Sequence, residues 1–140
     1  MQRSDGVRDG SLRFYQRFSA GAGGGFAQVI AQAEGVSVIG TGPGDGHDDR
    51  DDWISTYERM MQGELAGTRL EGGDPRAYAE GPLGWGVDEP SFVFPDGSRL
   101  PTRLTAVLRA EDGDWKVVHL HFSGGGPDEQ AMALAAASPR

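Results

Sequence analysis

Asp112-Gly113 is the feature that most restricts what this chain can fold into. The pair lies between two alternating runs, Arg103 to Arg109 and Trp115 to Phe122. Asp-Gly in that setting is a strong short-range signal for a two-residue β-hairpin. A tight hairpin fixes register, and register fixes faces, because side chains alternate along a strand. The turn predicts Ala106 opposite His119 and Leu104 opposite His121. Trp115, Val117, His119 and His121 are then expected on one side with Leu104, Ala106 and Leu108. Val118, Leu120 and Phe122 are expected on the other, a side too apolar for a solvated face.

The first half of the chain reads differently. Val7, Ser11, Phe14 and Phe18 form one helical stripe that ends in the glycines of 21–25. Phe26, Val29, Ile30 and Ala33 have the i, i+3, i+4, i+7 spacing of a second helix, closed by Gly35. Val36, Val38 and Ile39 predict a short strand. A third helix opens with Asp48, Asp49, Asp51 and Asp52, which suit the positive end of the helix dipole, and carries Trp53, Ile54, Tyr57, Met60 and Met61 on its apolar side. After Gly67 the period becomes alternating, with strands expected over 69–71, 78–85 and 87–94 and a turn at 95–97. Helices first and antiparallel strands afterwards predict an α+β domain with helices on one face of a sheet.

Composition narrows the function classes. The 140 residues suit one domain, expected over 1–126, with an Ala-rich tail over 127–140. There is no cysteine, which excludes disulfides, thiolate nucleophiles and Cys-based zinc sites. The absence of cysteine, of an apolar leader and of any run of about 18 apolar residues leads us to expect a cytoplasmic protein that spans no membrane. The net charge of −8 disfavours nucleic acid and anionic lipid as partners.

The run Asp112-Gly113-Asp114-Trp115-Lys116-Val117-Val118-His119-Leu120-His121-Phe122-Ser123 resembles the last hairpin of two groups in the nuclear transport factor 2-like superfamily. These are the SnoaL-like proteins and the association domain of calcium/calmodulin-dependent protein kinase II. Leu104 to Arg109 and Val38 to Gly44 look like the SnoaL-like pattern as well. The resemblance implies a cone-shaped (cystatin-like) α+β fold, with three N-terminal helices packed on a curved antiparallel sheet. It also implies a pocket on the concave side and a homodimer packed sheet against sheet, here through Val118, Leu120 and Phe122. Ala106 stands where the kinase association domain is implied to carry a pocket arginine.

On this reading His119 is the candidate general base, since histidine titrates near neutral pH. His121, Trp115, Val117, Ala106 and Leu104 would line the pocket beside it, with Trp53, Tyr57, Trp85 and Tyr15 as its apolar and aromatic walls. His119 and His121 could also serve as core histidines or, with a further ligand such as His47, hold a metal. No complete metal set can be assembled, and no cofactor is expected. Gly40 to Gly46 follows a strand and precedes a helix, like a dinucleotide loop, but four acidic residues behind it oppose bound phosphate. Three functions remain: binding of a small, largely apolar molecule, catalysis as an isomerase, cyclase or hydrolase with a histidine base, and assembly alone.

Overall fold

The computed structural model describes residues 1–41 and 46–124. Residues 42–45 of the glycine-rich run and the expected tail over 127–140 lie outside the described residues. The elements in order are β1 (Gln2–Arg3), α1 (Asp5–Ala20), a single 3₁₀ turn (Phe26–Val29), β2 (Ser37–Ile39), β3 (Gly46–His47) and α2 (Arg50–Gln62). Six strands follow: β4 (Arg69–Glu71), β5 (Arg76–Glu80), β6 (Leu83–Asp88), β7 (Ser91–Val93), β8 (Arg99–Glu111) and β9 (Asp114–Gly124). No helix among the described residues is long and apolar enough to cross a membrane.

Both α-helices carry their own start signals. Ser4 caps α1 by accepting from the Val7 N–H, and Asp49 caps α2 by accepting from the Asp52 N–H. The expected second helix is not formed. After the 3₁₀ turn, Ile30 is extended, bridges to Val117, and the Ala31 N–H donates to the Val117 carbonyl. Phe26, Val29, Ile30 and Ala31 are all buried. One turn followed by extended chain buries that whole run, whereas a helix would direct part of it to solvent.

The main sheet runs β1-β5-β6-β8-β9-β2-β3. It is antiparallel except at β2–β9, which pair in parallel with Val38 beside Leu120. β8 bends the sheet by changing partners, pairing β7 along Arg99–Pro101 and then β6 along Leu104–Arg109. α1 fills the concave side. Gly10 makes a close approach possible, since a Cβ there would lie 2.9 Å from both Leu108 Cδ2 and the Trp115 carbonyl oxygen. Gly84 does the same from the sheet, where a Cβ would lie 2.4 Å from Val7 Cγ2.

The hairpin forms as predicted, but one residue upsets its faces. Asp112 and Gly113 both have positive φ, 53° and 82°, as a type I′ turn requires. Pairing runs regularly to Leu108–Val117 and then shifts, so that Val107 faces His119, Ala106 faces Leu120 and Leu104 faces Phe122. Val118 is the extra residue of a β-bulge. Beyond it the strand is inverted relative to the unbulged expectation. Leu120 and Phe122 enter the core beside Leu104 and Ala106, while His119 and His121 lie on the convex face.

Energetics explain why the bulge prevails. Burying Leu and Phe rather than leaving them exposed contributes about 1.5–3 kcal/mol each. The ladder bond lost at a bulge costs about 1 kcal/mol.

Candidate functional site

The interior does not hold the pocket where the hairpin reading placed it. Leu104, Ala106, Val117 and Tyr15 are buried in continuous packing, and Trp115 lies against α1 near Gly6 and Gly10. The Tyr15 hydroxyl donates to Asp88 Oδ2 at 2.7 Å, and burial raises its pKa. Asp88 Oδ1 accepts the backbone N–H groups of Asp74 and Glu89, so this inward carboxylate is occupied by structural bonds. His119 is half-buried on the convex face, 2.7 Å through Nδ1 from Ser37 Oγ. His121 is exposed there, and Trp85 stacks on Tyr78 across the same face. The expectation that His119 and His121 look into the cone is therefore corrected. So is the expectation that Leu120 and Phe122 form an outward face.

The apolar cleft lies instead at the mouth of the cone, between α2 and the β7–β9 wall. It has a volume of about 240 Å³. α2 supplies Trp53, Thr56, Tyr57, Met60 and Met61, and Phe18, Leu65, Phe92 and Phe122 close the other side. Trp53, Tyr57 and Met61 share one helix face at i, i+4, i+8 and are all buried. An aromatic frame backs the cleft: Phe26 stacks on Tyr57 at 3.8 Å, and Phe92 packs on Phe18 and Phe122. A second hollow of about 230 Å³ shares Phe18, Gly40, Leu65, Phe92 and Phe122 and adds Thr68 to the wall. Larger hollows, such as one of about 530 Å³ beside Gln32–Val36 and Asp48–Asp51, are lined mainly by polar and charged residues.

Few polar groups reach the cleft. The Tyr57 hydroxyl donates to the Phe18 carbonyl at 2.6 Å, and burial pushes its pKa up to about 12. It is a structural donor, not a free acid. Thr68 Oγ1 is buried without a partner, alone in this among the described side chains. His47 lines the cleft with its Nδ1 2.5 Å from Asp52 Oδ2. β3 places it there, because His47 pairs with Val38 and directly paired residues share a face. Arg50 pins the start of α2 through the Ala31, Ala27 and Ile30 carbonyls.

Of the residues expected from the sequence to line a pocket, Trp53 and Tyr57 do so in this cleft. The sequence offers His47 only as a further metal ligand for His119 and His121, not as part of an apolar cleft. The two-residue strand that carries His47 is too short to produce a periodic signal. The bulge was readable in principle, since Trp115/Val117 and Leu120/Phe122 are two apolar alternations offset by one residue. No group of three or more potential metal ligands occurs among the described residues.

A SnoaL-like domain matches residues 7–127, and the chain belongs to that family. No curated protein matches the sequence. Among solved structures, an uncharacterised protein with a cystatin-like fold from Caulobacter vibrioides superposes with a TM-score of 0.72 at 18% identity, covering 96% of this chain and 97% of that one. A domain of unknown function from Nostoc punctiforme gives 0.72 at 18% identity, covering 93% and 82%. A Xanthomonas campestris protein described as a calcium/calmodulin-dependent protein kinase II association domain gives 0.69 at 15% identity, covering 87% and 86%. At such identities the likeness is one of fold, and the fold is that of the nuclear transport factor 2-like group.

Proposed function

We propose that this protein binds a small, largely apolar molecule in the cleft between α2 and the β7–β9 wall. The observation that carries the reading is the cleft's lining: aromatic and aliphatic side chains converge on about 240 Å³, with His47 as a polar handle. Ligand sites are commonly concave, apolar and furnished with a few placed polar groups. A planar aromatic probe such as 1-naphthol should raise the melting temperature in a concentration-dependent way, since binding to the folded state alone stabilises it. Thr56→Trp places an indole into the cleft and should remove that response. A response unchanged in Thr56→Trp would place the binding elsewhere and overturn the reading.

A second reading concerns self-association. Tyr78, Trp85, Val107 and Val118 are half-buried on the convex face, and Ile39 and Leu83 are exposed on the same side, at 47% and 52%. Such a face suits a second copy of the chain packed sheet against sheet. The partner surface differs from the sequence expectation, because of Val118, Leu120 and Phe122 only Val118 belongs to it. Sedimentation should show a dimer that Trp85→Glu separates. A Trp85→Glu variant sedimenting as the wild type would exclude this face.

A further inference from the structure

We infer that the hollow on the convex face between Arg76, Arg103 and His121, about 260 Å³ in volume, is a binding site for a phosphoryl group. It lies across the sheet from the apolar cleft and does not depend on what that cleft holds.

The sheet builds the hollow from side chains far apart in the chain. Arg76 on β5, Val87 on β6, Thr105 on β8 and His121 on β9 stand in one cross-strand row. Arg103 and Ser123 face each other in the next row on the same side, two residues away along β8 and β9. Neighbouring strands are spaced by about 4.8 Å, so Arg76 and Thr105 stand about 10 Å apart. Val87 and Thr105 are short and leave a low floor between the two long guanidinium side chains.

What marks these cations is that nothing engages them. The chain has 21 acidic residues against 13 Lys and Arg, and several of its arginines are neutralised: Arg8 by Asp74, Arg13 by Asp114, Arg69 and Arg99 by Glu71, and Arg109 by Glu111. Among the described residues Arg76 and Arg103 pair with no carboxylate, although Asp88 and Glu89 line the same hollow. Asp88 is held elsewhere: its Oδ2 accepts the Tyr15 hydroxyl, and its Oδ1 accepts the N–H groups of Asp74 and Glu89. Glu89 is exposed at the rim and leaves the two guanidinium groups in excess. Thr105, His121 and Ser123 are exposed as well. Among the described residues no side chain engages His121, whereas Ser37 engages its neighbour His119.

The donors decide the ligand class. Each guanidinium presents a planar fork, the Thr105 and Ser123 hydroxyls each donate, and the His121 ring carries an N–H in either tautomer. That set exceeds what the two oxygens of a carboxylate can use and suits the three terminal oxygens of a phosphoryl group. The class is therefore phosphate or a small phosphate monoester, and Val87 supplies the apolar contact for a monoester's carbon end.

The test is titration of the whole chain followed by amide NMR shifts, at constant ionic strength balanced with sodium chloride. Inorganic phosphate and phenyl phosphate are the probes, and acetate is the carboxylate control. Phosphate should shift the amides of Thr105, His121 and Ser123 saturably. Arg76→Gln and Arg103→Gln should each weaken binding about tenfold, the loss of a hydrogen bond to a charged group. Arg103→Lys should weaken it too, because an ammonium has no fork. Arg99→Gln, on the same strand but paired with Glu71, should leave it unchanged. Glu89→Gln should tighten it about threefold, the modest effect of an exposed charge. All the replaced side chains are exposed, and melting temperatures check that each variant folds. Tighter binding of phenyl phosphate than of inorganic phosphate assigns a monoester, equal affinity assigns the free ion, and both support the site. No saturable shift, or an affinity unaltered in both Arg76→Gln and Arg103→Gln, overturns it. Acetate binding as tightly as phosphate overturns the phosphoryl assignment.

Discussion

His119 and His47 are the same kind of side chain in opposite settings. His119 sits on the convex face of β9, beside Ser37, with the sheet between it and the cleft. His47 sits at the cone mouth, against Asp52 and an apolar cleft. The first belongs to the run that most resembles a known family, and the second to a two-residue strand with no sequence signature. The difference teaches that a histidine's chemistry is set by its neighbours and by the space in front of it. A motif can mark the fold without marking the site.

The comparison can be broken most sharply at β9 itself. Leu120→Ala should cost about 2–5 kcal/mol of stability, the range for emptying a core position. His121→Ala, one residue along, should stay within about 0.5 kcal/mol. Urea denaturation of both variants checks this, and similar costs would mean that the faces are not divided as described. Gly84→Ala tests how closely α1 lies on the concave side. A Cβ 2.8 Å from the Tyr78 carbonyl oxygen and closer still to Val7 cannot be accommodated in place, so a loss of about 1–3 kcal/mol is expected. A wild-type melting curve would show slack between helix and sheet.

Smaller effects sharpen the mouth side. Asp49→Ala removes the cap of α2 and should cost about 1 kcal/mol. It should also loosen the His47–Asp52 contact, seen as a change in the His47 imidazole NMR signals while those of His119 stay fixed. Thr68→Val replaces a buried hydroxyl that has no partner with a methyl group. Removing an unsatisfied polar atom without changing shape is neutral or favourable, so the melting temperature should hold or rise slightly. A clear fall would mean that the Thr68 hydroxyl makes a stabilising bond in solution.

Local signals made much of the fold legible. Asp112-Gly113 fixed the turn, because positive φ at both positions suits that pair. The acidic group Asp48, Asp49, Asp51 and Asp52 marked where the helix before Trp53 begins, and Trp53, Tyr57 and Met61 were readable as one helix face. The second helix failed because its spacing fits a 3₁₀ turn plus extended chain equally well, and contact with Val117 decided between them. The candidate site was half legible. Trp53 and Tyr57 were found because they are periodic, whereas His47 was not because nothing local points to it.

By itself, then, the sequence determined the α+β order, the last hairpin and its turn, and membership in the SnoaL-like family over residues 7–127. Each of these depends on residues close together in the chain. Only the tertiary structure decided which face of β9 is inside, that β2 lies parallel to β9, and that His47 meets Asp52 at the cleft. The physical reason is that a bulge costs about one ladder bond and is selected by the summed burial of Leu120 and Phe122. That sum exists only once β8, β9 and the helices have closed around the same core.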